Sequence, residues 1–116
     1  KKGLYLGGTI MPGLHLMQDA LANHTAKLSD ASAGTIKTFP ANTSDAIHTG
    51  CMNAVTGAIL LASKQLEKHC AFLPQIIITG GDAVKIAHAL KVHLKRVVVE
   101  DNLVLQGLAL IEKDSV

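Results

Sequence analysis

Two glycine pairs, each set between an apolar run and a helix-like pattern, are the residues of this chain best placed to do chemistry. The first lies in Leu4-Tyr5-Leu6-Gly7-Gly8-Thr9-Ile10-Met11-Pro12-Gly13, the second in Gln75-Ile76-Ile77-Ile78-Thr79-Gly80-Gly81-Asp82. Glycine at a strand-to-helix turn tolerates positive φ and lets a ligand come close to the backbone. The helix N-terminus beyond it offers free N–H groups and a positive dipole end, which suit an anion such as phosphate. The same pairs also read as ordinary turns, because glycine is the default turn residue.

The other polar candidates are weaker. Asp82 follows the second pair where a helix N-cap belongs; a catalytic base is its lesser reading. Asp45 sits one turn into a helix and reads as a surface partner of the helix dipole. Thr43 and Ser44 are both candidates to cap that helix. His15, His24, His48, His88 and His93 form no constellation at metal-ligand spacing. His69 adjoins Cys70, but neighbours on a helix point apart. Cys51 and Cys70 have no CxxC partner and fall in apolar helical patterns, so buried, reduced thiols and a reducing, cytoplasmic compartment are expected.

Composition narrows the classes. The 116 residues amount to one domain, and 48% of them are hydrophobic, enough for a core. Tyr5, Phe39 and Phe72 are the full set of aromatics, so the core must be aliphatic, and so few π faces argue against a base-stacking single-strand binder. The net charge is +2 and the lysines are scattered. Their densest cluster, Lys91, His93, Lys95 and Arg96, reads as a solvated helix end, which gives nucleic-acid binding no support. The longest unbroken apolar stretch, Ala58 to Ala62, is far short of a membrane span, and no signal peptide is visible. The first residue is Lys rather than Met, and a strand follows almost at once, which reads as a fragment or a processed piece.

The elements that must position the glycines alternate. Leu4–Met11 reads as a strand or hairpin arm bent at Gly7-Gly8. Leu14, Met17, Leu21 and Leu28 recur with helical spacing. Residues 29–42 read as a loop, with a short strand an option at Thr35–Phe39. From Ser44 to about Cys70 the pattern is helical, with Ile47, Cys51, Val55, Ala58, Ala62 and Leu66 in one stripe. Gly50 and Gly57 interrupt that helix at one-face spacing. Each costs about 1 kcal/mol relative to Ala, so close helix–helix approach is the expected reason. Gln75–Thr79 is a β-branched strand, and Ile86, Ala89, Leu90 and Leu94 are the buried face of the next helix. Arg96–Val99 is a strand whose valines suit burial on both sheet faces. Asn102 caps a last helix to about Lys113. Strands alternating with helices imply a layered α/β domain with a largely parallel sheet, and no linker divides it.

Four strings, in order, resemble the type III pantothenate kinases and the related Bvg accessory factor proteins: GGTIMPGLHLMQDALANHTAKL, NTSDAIHTGC, IIITGGDA and VVVEDNLVLQGLALI. Together they cover most of the chain. The resemblance implies a ribonuclease H-like half-domain of the actin, hexokinase and sugar-kinase superfamily, three-layered with a mostly parallel sheet. It also implies that residues 1–116 are the C-terminal half, with the first phosphate loop and the catalytic aspartate upstream, so that no catalytic residue is expected here.

The activity implied is ATP-dependent phosphorylation of pantothenate, the first step toward coenzyme A, with Mg²⁺ and a monovalent cation (K⁺ or NH₄⁺) by a homodimer. Gly80 and Gly81 match the adenosine-side turn. Asn42 and Thr43 match a motif beside the pantothenate site, contributed across the dimer interface; Thr43 reads equally as a helix cap. Gly7, Gly8 and Gly13 match a turn near the phosphates, where shaping the turn is the safer role. No nucleic-acid or membrane partner is expected. The rival reading is a regulatory module of the Bvg accessory factor type without kinase activity.

Overall fold

The computed structural model describes residues 3–24 and 34–114. Its elements are α1 (Leu14–His24), α2 (Thr43–Cys70), β1 (Ile76–Ile78), α3 (Ala83–Leu90), β2 (Val97–Val99) and α4 (Leu103–Asp114). The chain divides into two compact units, Lys1–Cys51 and Met52–Val116. The boundary falls inside α2, where no change of composition marks it, so the sequence alone reads as one domain.

In the first unit, the expected strand at Leu4–Met11 is absent. The segment has no regular structure, and Leu4, Tyr5 and Ile10 are 76%, 83% and 103% exposed. A strand needs a neighbour to take its N–H and C=O groups, and none of the described residues pairs with this one. Gly7 does bend the chain, at φ +140°. Helix α1 starts after Pro12-Gly13, and the Gly13 carbonyl accepts the Met17 N–H at 3.0 Å. Leu14 is buried, Met17 is half-buried and Leu21 is largely exposed; Leu28 lies outside the described residues.

The second unit is built on a β1–α3–β2 connection. The strands pair in parallel, Ile76 with Val97, Ile77 with Val98 and Ile78 with Val99. Bonds from Ile76 N–H to the Arg96 carbonyl and from Glu100 N–H to the Ile78 carbonyl lie at the two ends of the ladder. On α3, Ala83, Ala87 and Leu90 recur at helical spacing and are buried, Leu90 completely. Ala87, Leu90 and Val97 form the core, with Ile59, Leu60, Ile76, Ile78, Ile86, Leu94 and Val99 packed round it. The expected face of Ile86, Ala89, Leu90 and Leu94 thus holds at Leu90, Ile86 and Leu94 but omits the buried Ala83 and Ala87.

Burial of the valines on both faces is not observed. Val97 is buried, but Val98 and its partner Ile77 are exposed on the other face. Helix α3 packs on the two-stranded parallel sheet, so the second unit is a small α/β arrangement, and a third layer is not seen among its described residues. Helix α4 carries a second open surface, with Val104, Leu105, Leu108, Leu110 and Ile111 all exposed.

Helix α2 also departs from its expected stripe. Ile47, Cys51 and Val55 are buried, yet Ala58 and Ala62 are exposed, and the covered positions further on are Thr56, Ile59, Leu60, Ser63 and Leu66. A stripe drawn from apolar residue types skips Thr56 and Ser63. Threonine belongs there because its hydroxyl donates to the helix's own Met52 carbonyl, at 2.8 Å, and so is satisfied without water. By length and composition α2 is long and apolar enough to cross a membrane. Unbroken apolar runs do not reveal this, since polar residues punctuate it. Its covered positions include Asp45, Thr49, Thr56 and Ser63, the arrangement of a helix packed against protein.

Candidate functional site

The N-terminus of α2 is the most tightly wired part of the first unit. Asn42 is the residue that caps it: its side-chain oxygen accepts the Asp45 N–H at 2.9 Å, and its carbonyl accepts the Ala46 N–H at 2.9 Å. Thr43, the first helical residue, is therefore not the cap, and its exposed side chain stands at the helix entrance. The two readings of Thr43 part here, and the capping role goes to Asn42.

Asp45 is not a surface residue. It is only 6% exposed, covered by its immediate hydrogen-bond partners near the surface of the unit. Its Oδ1 accepts the Thr35 N–H at 2.7 Å and the Thr35 hydroxyl at 3.2 Å. Its Oδ2 accepts the Asn42 side-chain N–H at 2.9 Å and lies 3.6 Å from Lys37 Nζ. The Thr35 N–H, with the Asn42 and Thr35 side-chain bonds and the Lys37 charge, holds its pKa below the usual aspartate value against the opposing effect of desolvation.

The short strand expected at Thr35–Phe39 is explained by the same contacts. The segment has no ladder partner among the described residues. Instead the Thr35 N–H goes to Asp45, and the Lys37 N–H goes to the Thr49 hydroxyl at 2.9 Å. Asp45 and Thr49 are one helical turn apart, and alternate N–H groups of an extended chain point the same way. Side chains of α2 therefore replace a neighbouring strand. Gly34 makes the approach possible: a Cβ there would collide with the Ser44 carbonyl and come within 2.6 Å of the His48 ring. The sequence reading singled out neither Gly34 nor the burial of Asp45. The one available signal was an aspartate three residues after an asparagine cap. Further along α2, His48 Nδ1 lies 3.3 Å from the Gln18 side-chain amide of α1.

The first glycine pair lies upstream in this unit. Gly7 adopts positive φ, and a Cβ on Gly8 would sit 3.0 Å from the Tyr5 hydroxyl. A Cβ on Gly13 would meet nothing within 4 Å. Of the three, only Gly7 has a backbone conformation that favours glycine.

In the second unit, Gly80 and Gly81 follow the C-terminal end of β1 and lead into α3, the end of a parallel strand where ligands bind in α/β sheets. Gly80 has φ +113°, which a side chain rarely adopts. A Cβ on either glycine would meet nothing within 4 Å, so the space beside the turn is open. Asp82 occupies the N-cap position of α3, yet its side chain makes no capping hydrogen bond. With φ −100° and ψ 9° it is outside the extended geometry from which a side chain caps the next turn. Asn102 precedes α4 in the left-handed region, at φ 60°, which asparagine tolerates, and its carbonyl accepts the Gln106 N–H.

A groove of about 600 Å³ lies at the other end of the strands, lined by Leu60, Ser63, Leu73, Pro74, Leu94 and the basic residues Lys64, Lys95 and Arg96, among others. Arg96 donates to the Leu73 carbonyl at 3.0 Å, and the lysines are solvent-exposed. Lys91, His93, Lys95 and Arg96 are exposed, as expected of a solvated cluster, although they follow the end of α3 at Leu90 and do not belong to it. Cys51 is buried, which raises its thiol pKa, and neither cysteine forms a disulfide. Among the described residues no group of three His, Cys, Asp or Glu side chains is placed to hold a metal ion.

A sequence profile of type III pantothenate kinases matches residues 1–65, which takes in the first glycine pair and the Asn42–Asp45 cap. The chain belongs to the type III pantothenate kinase family. It is similar to the type III pantothenate kinase of Methylobacillus flagellatus, 40% identical over 94% of this chain and 44% of the relative. The type III pantothenate kinase of Chromobacterium violaceum is 43% identical over 92% of this chain and 44% of its own length. That of Herminiimonas arsenicoxydans is 44% identical over 91% of this chain and 41% of its own. The chain thus spans less than half the length of these kinases. The relatives carry the kinase name, so the comparisons do not favour the regulatory reading.

Proposed function

We propose that the full-length protein transfers a phosphoryl group from ATP to pantothenate, and that this chain is its C-terminal half. The reading rests on identity of about 40% to named type III pantothenate kinases across nearly all of the chain. Phosphoryl transfer depends mainly on positioning and on charge stabilisation. In this reading the Gly80–Gly81 turn faces the adenosine, where the open space beside both glycines leaves room for a nucleotide. Thr43 offers its hydroxyl to pantothenate from the entrance of α2. Asn42, bonded to Asp45 at both ends of its amide, shapes the turn beside it. Gly7, Gly8 and Gly13 set the turn near the phosphates.

The reading includes Mg²⁺ and a monovalent cation alongside ATP. The proposed enzyme is a cytoplasmic homodimer. The exposed face of α2 supports the dimer, because a Cβ on Gly50 or Gly57 would meet nothing within 4 Å, leaving room for a second backbone.

The test is production of phosphopantothenate from pantothenate and ATP by the purified full-length protein, with the 116-residue chain assayed beside it. Turnover is expected from the full-length protein and none from the chain alone. A full-length protein that binds neither substrate would return the regulatory reading to first place.

A further inference from the structure

We infer that Asp45 is the positioning residue of the Asn42–Thr43 turn, clamping it to the extended segment at Thr35–Lys37. This rests on the reading of Thr43 as a pantothenate contact. A simple N-cap needs only the Asn42 oxygen on the Asp45 N–H. In the usual capping box, an acidic side chain at this third helical position turns back to the cap's backbone N–H. Asp45 does something else. It grips the Asn42 amide nitrogen, while the Asn42 oxygen grips the Asp45 backbone, so the asparagine side chain is held at both ends.

The other carboxylate oxygen takes both donors of Thr35. One charged group thus joins the cap, the first turn of α2 and a segment ten residues upstream in sequence. Hydrogen bonds to an ionised acceptor are shorter and stronger than neutral ones, which suits a clamp. Lys37 is largely exposed, so its pairing at 3.6 Å adds little. A base role is a poor fit, since the carboxylate already accepts three hydrogen bonds and its proton affinity is depressed.

Thr43 sits directly after the fixed asparagine, so its orientation depends on the clamp. Releasing Asp45 should leave α2 in place, because its helical hydrogen bonds do not involve the carboxylate. The Thr43 hydroxyl would then sample several positions, and pantothenate would lose a contact while ATP would not.

The experiment uses full-length protein carrying Asp45→Asn, Thr43→Val or both. Thr43→Val alone tests the contact: losing one uncharged hydrogen bond should raise the pantothenate KM about three- to tenfold, with the ATP KM little changed. If it does not, the contact reading fails, and the assignment of Asp45 to that contact fails with it. If it does, Asp45→Asn should raise the same KM by a similar factor, and the double variant should be no worse than Thr43→Val. A folded Asp45→Asn with wild-type KM would overturn the inference, as would effects that multiply in the double variant.

Hydrogen exchange gives a reading independent of Thr43: the Thr35 and Lys37 amides should lose protection in Asp45→Asn while the middle of α2 keeps it. Unchanged protection would also overturn the clamp. If Asp45→Asn does not fold, Thr35→Val replaces it. It removes the 3.2 Å donor and keeps the 2.7 Å one, so a smaller rise in pantothenate KM is expected, and no rise would count against the clamp.

Discussion

Gly34 lies so close to the Ser44 carbonyl that no side chain fits between them. The contact is to backbone in the first turn of a helix, which cannot swing aside as a flexible side chain would. Gly34→Ala must therefore push the 34–37 segment off α2. Overpacking of this kind costs about 1–3 kcal/mol. The expected outcome is a lower melting temperature together with lost protection of the Thr35 and Lys37 amides. A variant that melts like the wild type would show that the segment does not pack there.

Acid should release the clamp in a defined direction. The folded-state pKa of Asp45 is lowered, first by the Thr35 N–H and then by the Asn42 and Thr35 side chains and Lys37. Its contribution to stability is therefore fully present above the ordinary aspartate range, near pH 4, and is lost as pH falls through the lower folded value. Subtracting Asp45→Asn from wild type removes the common effect of the other carboxylates. The stability gap between the two should be constant near neutrality and narrow below about pH 4. Denaturant unfolding at a series of pH values measures it; a gap that widens on acidification would contradict the lowered pKa.

How far the sequence reaches can be judged residue by residue. The helices, the β1–α3–β2 order and the turn at Gly80 are legible because local pattern and glycine chemistry determine them. Positive φ at Gly7 and Gly80 follows the same logic. The wiring of Asp45 is not legible, because its partners Thr35 and Lys37 come from a segment whose extended form looks like a strand. Periodicity shows that alternate N–H groups point one way, but not whether a strand or a helix side chain receives them. The valines of Arg96–Val99 likewise predict burial on both sheet faces, yet Val98 is exposed, as are Ile77 beside it, the Leu4–Ile10 segment and much of α4. Apolar composition says that a surface is to be covered, without saying which residues cover it.

The exposed face of α2 leads to a prediction about assembly. Gly50, Gly57 and Leu61 are exposed on it, and nothing lies within 4 Å of a Cβ added at either glycine. If a second copy packs there, Gly57→Leu should dissociate the full-length dimer while circular dichroism stays unchanged. Replacing glycine by leucine in an exposed helix interior even raises helix propensity, by about 0.8–1 kcal/mol, so loss of assembly would not reflect loss of the helix. Sedimentation velocity distinguishes the states, and an intact dimer would move the interface to another face.

The two glycines of the second turn make unequal tests of the proposed nucleotide site, and their difference is useful. Gly80 adopts φ +113°, so any side chain there is strained whether or not a ligand binds, at about 1–3 kcal/mol. Gly81 has neither a positive φ nor a neighbour within 4 Å of its Cβ. Gly81→Val should therefore fold normally, and any loss it causes must come from something that occupies the open space. In the full-length protein, ATP affinity should fall by about tenfold or more, roughly 1.4 kcal/mol, with pantothenate affinity little changed. Gly80→Val should instead lower both stability and ATP affinity. Circular dichroism, thermal melting and nucleotide titration on the same samples separate the two patterns. A folded Gly81→Val protein with unaltered ATP affinity would show that this glycine pair is a turn and that adenosine binds elsewhere.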